Sequence, residues 1–405
     1  MAVGYAGVPE LLPVSGFRIG VASAGIKKPG RRDVVVMAFG AEASCAGVFT
    51  RNAFCAAPVV IAKKHLAAGS PRYFLINTGN ANAGTGKRGL SDAAESCIAL
   101  AAVAGCEAQE VLPFSTGVIG EPLPLGKIAA VLPQAVAALS ESNWEDAAHG
   151  IMTTDTVPKG CSRRVKLSGG EIVITGISKG SGMIRPDMAT MLAYVATDAR
   201  VEPVLLQQVL NTAVRYSFNR ITVDGDTSTN DSCMLVATGA SGTAVESGSA
   251  ADLELFRRAV TEVCEVLAQA IVRDGEGATK LITVEVKGGR DENECEQVAY
   301  TIAHSPLVKT AFFASDPNWG RILAAVGRAG LHALDLDAIT IFLGDVCIVW
   351  GGGRAPDYTE EQGREVMSKE EIHIGVELGR GDASARVWTC DFSYDYVRIN
   401  AEYRT

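Results

Sequence analysis

The residues with the most chemistry in them lie in one run, Ser178-Lys179-Gly180-Ser181-Gly182-Met183-Ile184-Arg185-Pro186-Asp187-Met188-Ala189-Thr190-Met191-Leu192. Glycines at 180 and 182 open backbone conformations closed to residues with a Cβ, and Pro186 stiffens the approach to the Ala189–Thr190 bond. A strained, exposed peptide bond before a hydroxyl residue can rearrange by an N-to-O acyl shift, and the resulting ester then hydrolyses. Cleavage there would leave Thr190 with a free α-amino group beside its own hydroxyl. Such an amine, with a pKa near ~8, is suited to act as a general base around neutrality. One residue would then supply both nucleophile and base, which suits a chain without an obvious Ser-His-Asp set. Taken alone, the same residues also allow Thr190 simply to begin a strand after a glycine-rich loop.

Other segments are poorer in chemistry. Asn80-Ala81-Asn82-Ala83-Gly84-Thr85-Gly86-Lys87-Arg88 looks like a phosphate-binding loop after a strand. Ala81 and Arg88 stand where that loop needs a glycine and a Ser or Thr, so a glycine- and asparagine-rich turn is expected instead. The ten cysteines include no C-x-x-C pair and read mostly as small buried hydrophobes. The five histidines show no metal-ligand spacing, so no metal site is expected. Gly351-Gly352-Gly353-Arg354 reads as a loop.

The elements that must position this chemistry alternate between extended and helical patterns, which predicts a mixed α/β (α+β) protein. Val34–Phe39 and Tyr73–Asn77 are apolar runs closed by glycine, expected as buried strands. Helices are expected over Ser91–Ala104, with Ser-Asp as N-cap, and over Leu125–Leu139, Val201–Tyr216 and Asp252–Val272. Gly169-Gly170 between two extended runs from Arg163 to Thr175 predicts a hairpin. Late strands are expected at Ala338–Phe342, Ile372–Glu377 and Ala385–Asp391.

Composition bounds the function. The chain has 405 residues, 47% hydrophobic and 20% charged, enough for two or three domain-sized units with a substantial core. A net charge of −9 argues against nucleic-acid binding, which needs a dense field of Lys and Arg. No stretch approaches the ~20 apolar residues needed to cross a bilayer. Residues 1–20 do not read as a signal peptide, so the cytosol is the expected location.

The run K-G-S-G-M-I-x-P-x-M-A-T-M-L resembles the self-processing signature of the ornithine acetyltransferase (glutamate N-acetyltransferase) family. Further blocks resemble the family in the same order along nearly the whole chain. They are Gly47–Asn52, Asn77–Ala83, Ser115-Thr116-Gly117-Val118-Ile119-Gly120, Ile151-Met152-Thr153-Thr154-Asp155-Thr156, Val223–Asp231, Asp274–Lys280 and Ser315–Arg321.

The resemblance implies a two-domain self-processing nucleophile fold, cut between Ala189 and Thr190 into fragments 1–189 and 190–405. It implies Thr190 as nucleophile and Thr116 and Gly117 as the oxyanion hole, where one donor is worth about 3–4 kcal/mol. Thr153, Lys179, Glu276, Asn400 and Thr405 match substrate-contacting positions. Lys179 suits a substrate α-carboxylate and Glu276 the side-chain amine of ornithine, with a structural ion pair as the competing account. The implied reaction moves acetyl from N-acetylornithine to glutamate without metal or organic cofactor, with acetyl-CoA a co-substrate only in bifunctional members. A heterotetramer of two copies of each fragment is implied, and a self-processed aminopeptidase or amidohydrolase is the alternative. The aspartates and asparagines of 224–231 read as structural or supporting residues and receive no catalytic role.

Overall fold

The computed structural model describes residues 2–5, 7–185 and 191–402. The chain folds as two compact units. The larger comprises residues 7–219 and 226–271; the smaller comprises 2–5, 220–225 and 272–402. These boundaries follow packing and are separate from the expected cleavage point between 189 and 190.

The larger unit opens with strands β1 (Phe17–Ala22), β2 (Val34–Phe39) and β3 (Ser44–Phe49). Helix α1 (Ala57–Ala68), strand β4 (Tyr73–Asn80), helix α2 (Gly86–Ala104) and strand β5 (Val111–Val118) follow. Helices α3 (Leu125–Ala137) and α4 (Trp144–Gly150) lead to the hairpin β6 (Lys159–Leu167) and β7 (Gly170–Lys179). Then come β8 (Leu192–Thr197), β9 (Arg200–Val201), α5 (Pro203–Tyr216), β10 (Ser232–Ala237), β11 (Ala244–Val245) and α6 (Ala250–Arg273).

Two sheets result, ordered β1-β2-β4-β5 and β3-β10-β8-β7-β6, with β11-β9 as a small separate ladder. Their facing sides share one core. Phe17, Met37, Phe74 and Phe114 come from the first sheet, Ile177, Tyr194 and Met234 from the second, with Trp144 of α4 among them. Period-two alternation explains why β2 is apolar at every position. Val35, Met37 and Phe39 enter this shared core, while Val34, Val36 and Ala38 meet α2 and α3 on the other side. Helices α5 and α6 cover the second sheet: α5 packs on β3 and β10, and α6 brings Val263 and Leu267 against β7 at Gly176.

The smaller unit contains β12 (Leu281–Gly289), α7 (Glu292–Ala303), α8 (Pro306–Phe313), α9 (Trp319–Gly327), β13 (Thr340–Leu343) and β14 (Val346–Trp350). It continues through β15 (Gly353–Arg354), α10 (Glu360–Met367), β16 (Glu371–Glu377), β17 (Ala383–Cys390) and α11 (Tyr394–Ala401). Its mixed sheet runs β15-β14-β13-β16-β12-β17, with β12 and β16 parallel. Ile282, Val284 and Val286 of β12 pack with Val298 and Ile302 of α7 in its core.

The expected α/β class and the hairpin at Gly169-Gly170 are present. Several boundaries differ, three of them for reasons that local contacts show. Helix α2 starts at Gly86, because the Thr85 hydroxyl donates to Asn82 Oδ1 (2.8 Å) and ties the turn directly to the helix; Ser91 lies inside it, bonded to Glu95. Helix α5 starts at Pro203, whose ring presets the first helical φ, while Arg200 and Val201 pair with β11. The strand expected from Ala338 begins at Thr340, after a 3-10 turn at Leu336–Ala338. Gly351 and Gly352 form the tight turn between β14 and β15, and six of the ten cysteines are buried.

Candidate active site

The Ser115-Thr116-Gly117 element ends strand β5 beside the parallel strand β4, with Thr78 opposite Thr116 and Gly79 opposite Gly117. The ladder then shifts register at Gly79/Asn80. Gly117 has φ +136°, and a Cβ there would stand 2.2 Å from the Gly79 carbonyl carbon. Only glycine lets the two main chains approach so closely. Thr116 is buried at the same strand end. Side chains brace the corner: the Ser115 hydroxyl donates to Asn77 Oδ1 (2.5 Å), and Asn77 Nδ2 donates to the Asn80 carbonyl (2.9 Å).

A strap of residues 227–232 joins this corner to Arg185 and Met191, on either side of residues 186–190. The Asn230 amide, buried, donates to the carbonyls of Ala81 (2.6 Å) and Ser115 (2.9 Å). Two residues on, Ser232 N–H donates to the carbonyl of Met191 (3.0 Å), where β10 begins to pair with β8. The Thr227 hydroxyl reaches the Arg185 carbonyl (3.2 Å) on the other side of residues 186–190. One short strap thus holds the residue before Thr116 and the residue after Thr190.

Thr153 and Lys179 meet around a third residue, Asp155. Asp155 Oδ1 accepts from Lys159 Nζ (2.7 Å) and Gly180 N–H (2.7 Å). Its Oδ2 accepts from Thr153 N–H (2.9 Å) and, more weakly, from the Thr153 hydroxyl (3.4 Å). Lys179 Nζ lies 3.4 Å from that hydroxyl. Burial alone would raise the Asp155 carboxyl, but Lys159 and then Lys179, with the hydrogen bonds, hold it well below the usual carboxylate range. Arg31 donates to the carbonyls of Met152 and Thr153, and an open cavity of about 420 Å³ lies over Arg31, Arg32, His149, Met152, Thr153 and Asp155.

In the smaller unit, Asn400 Nδ2 donates to Glu276 Oε2 (2.8 Å), so helix α11 folds back onto the turn that carries the buried Glu276. The approach is close: a Cβ at Gly277, whose φ is +70°, would meet Tyr396 N at 2.5 Å. The Ser393 hydroxyl donates to the Gly277 carbonyl (2.6 Å). Asp391, at the end of β17, accepts from Thr279 N–H (2.8 Å), the Thr279 hydroxyl (2.6 Å) and Lys280 N–H (2.9 Å). Beneath it, the fully buried Lys309 donates to Thr389 Oγ1 (2.9 Å) and the Cys390 carbonyl.

Of the residues singled out in the sequence, Thr116, Gly117, Thr153 and Lys179 stand in the larger unit, and Glu276 and Asn400 in the smaller. Ala189, Thr190 and Thr405 lie outside the described residues. Sequence reasoning gave Asn230 a structural or supporting place at most, and singled out none of Asp155, Lys159 and Asp391. Two of these sit inside motif blocks already noted, and opposite charges four apart at 155 and 159 were a readable signal. Among the described residues no group of three His, Cys, Asp or Glu side chains is arranged to hold a metal ion, and no helix is long and apolar enough to cross a membrane.

Residues 18–405 match the model of the ArgJ family. The chain belongs to that family. It is 60% identical to the "Arginine biosynthesis bifunctional protein ArgJ" of Pseudomonas fluorescens, with 100% of both chains covered. It is 59% identical to the protein of the same name from Methylococcus capsulatus, over 98% of this chain and 97% of that one. The crystal structure of ArgJ from Bacillus halodurans is 41% identical, with a TM-score of 0.50, and covers 52% of this chain and 99% of its own. As an ArgJ-family member this chain is an enzyme, an acyltransferase, and its relatives are named for arginine biosynthesis.

Proposed function

We propose that this chain cleaves itself between Ala189 and Thr190 and then transfers acetyl from N-acetylornithine to glutamate through an acetyl-Thr190 intermediate. The observation that carries the reading is the strap: Asn230 on the Ser115 carbonyl and Ser232 on the Met191 carbonyl. It ties the neighbour of the nucleophile to the neighbour of the oxyanion donors.

In the first half-reaction the α-amine of Thr190 takes the proton of its own hydroxyl, and Oγ1 attacks the acetyl carbon. The Thr116 hydroxyl and Gly117 N–H receive the developing oxyanion, a contribution of about 3–4 kcal/mol per donor. The C–N bond breaks, the proton passes to the departing α-amine, and ornithine leaves. Glutamate then attacks the ester with its own α-amine, giving N-acetylglutamate and free Thr190. Lys179 holds the substrate α-carboxylate, its ammonium standing beside the Thr153 hydroxyl. Glu276, oriented by Asn400, meets the cationic side chain of ornithine. No metal or organic cofactor enters these steps. Acetyl-CoA serves as a second acetyl donor if the bifunctionality in the relatives' names extends to this chain.

Self-cleavage draws support from the Bacillus halodurans chain, 99% of which corresponds to 52% of this one, close to the share held by residues 190–405. The two fragments are read as staying associated, in a heterotetramer in the cytosol.

Intact mass under denaturing conditions, on the wild type and on Thr190→Ala, tests the reading. Two fragments meeting at 189/190 in the wild type and one uncut chain in the variant are expected, together with glutamate-dependent release of ornithine from N-acetylornithine. An uncut wild type overturns the nucleophile assignment. Cleavage with glutamate-independent release of acetate points instead to a hydrolase.

A further inference from the structure

We infer that Asp155 is a positioning residue that locks the Thr153 loop to the start of the processing segment, so that one buried carboxylate sets the geometry for both self-cleavage and acetyl transfer. The inference rests on the self-processing reading above and assigns a role to a residue outside the catalytic set.

Asp155 binds more than its ion-pair partner. The side chains of Asp155 and Lys159 are both 0% exposed, and their 2.7 Å contact would by itself be an ordinary buried pair. A buried pair of that kind still needs donors for the carboxylate's remaining lone pairs, and any nearby segment could supply them. Here two are recruited from separate segments, Thr153 N–H on Oδ2 and Gly180 N–H on Oδ1. Gly180 follows Lys179 directly, so the same bond fixes where strand β7 ends and where the Lys179 ammonium stands beside Thr153. The far end of the processing segment is held by Ser232 on Met191. With both ends anchored, the acyl shift before Thr190 starts from a restricted set of geometries. Releasing one end removes that restriction. Proximity effects are steep: a displacement of about 1 Å can cost on the order of a hundredfold in rate.

Lys159 neutralises the carboxylate and donates further to the Val157 carbonyl (3.3 Å). Its role is to keep Asp155 ionised, since an ionised carboxylate accepts at both oxygens and can serve all four donors.

The test uses the full-length chain, with cleavage followed by denaturing mass spectrometry and folding checked by near-ultraviolet circular dichroism. Asp155→Asn replaces one accepting oxygen by an amide that cannot serve the main-chain donors. Asp155→Glu keeps the charge for Lys159 but moves the oxygens by one methylene, so the buried pair survives while the register of its two main-chain donors changes. Both are expected to slow cleavage on the order of ten- to a hundredfold in the folded chain. Their cleaved fraction should show a raised KM for N-acetylornithine, because Thr153 and Lys179 have shifted. Val173→Ala, a cavity-forming change in the shared core, should lower thermal stability and still cleave at the wild-type rate. Cleavage of folded Asp155→Glu at the wild-type rate overturns the inference, as does an equal slowing by Val173→Ala, which would mark a general stability effect. If the wild type itself stays uncut, the self-processing reading fails and this inference falls with it; normal wild-type cleavage separates the two.

Discussion

Asn230→Asp keeps the shape of a side chain and reverses its hydrogen-bonding sense. Both N–H donors of the native amide are used, on the Ala81 and Ser115 carbonyls at 2.6 and 2.9 Å, while its oxygen accepts from the Thr229 hydroxyl at 2.6 Å. A carboxylate keeps the last bond and faces two carbonyl oxygens with none of the donors they need. At about 1–3 kcal/mol for each buried acceptor left unmade, the expected loss is roughly 2–6 kcal/mol at neutral pH.

Protonation recovers part of it, because a neutral carboxyl carries one O–H that can serve one of the two carbonyls. Burial and the facing carbonyl dipoles raise the pKa of the new carboxyl in the folded state above its unfolded value near ~3.9. Between those two values the native chain binds a proton that the unfolded chain has lost. Stability relative to wild type therefore falls as pH rises through that window, by at most ~1.4 kcal/mol per pH unit.

Urea unfolding at pH 5 and pH 8, on a Thr190→Ala background so that the chain stays in one piece, measures both quantities. On the processing-competent background, kcat should fall on the order of ten- to a hundredfold, as Thr116 and Gly117 lose their brace. A variant within about 0.5 kcal/mol of wild type at pH 8, the usual range for a surface substitution, would refute the reasoning, as would a loss identical at both pH values.

Two further substitutions probe one residue in each unit. Gly117→Ala places a methyl 2.2 Å from the Gly79 carbonyl carbon at φ +136°, so β4 and β5 must separate. The expected result is a kcat lower by on the order of a hundredfold or more in steady-state ornithine release, and near-normal turnover would remove Gly117 from the oxyanion hole. Glu276→Gln should raise KM for N-acetylornithine about tenfold or more, by loss of the charge that meets its side-chain amine, while leaving the cleaved fraction unchanged by denaturing mass analysis. An unaltered KM would make the Glu276–Asn400 contact purely structural.

Much of the fold was readable from local pattern. Strand β2 announced itself because all six of its residues are apolar, and the structure shows why: it is covered on both faces. The hairpin at Gly169-Gly170 and helix α6 followed from local turn chemistry and helical period, interactions made among near neighbours. Boundaries slipped where a longer contact decided them. Pairing of Val201 with Val245 kept it out of the helix expected to begin there.

The sequence by itself determined the family, the order of the motif blocks and the residue types at the site, since a threonine, a Ser-Thr-Gly corner and a Lys-Gly-Ser-Gly run keep their chemistry wherever they stand. Which of these meet was decided only by tertiary structure. Asn230 lies 115 positions from Ser115, and Asp155 lies 25 from Gly180. No local preference marks such partners, because a buried amide or carboxylate finds its bonds only when the folded core leaves nothing else within reach. For the same reason Asn230 and Asp155 appeared in the sequence only as members of motif blocks, and in the folded chain each ties together segments distant in sequence.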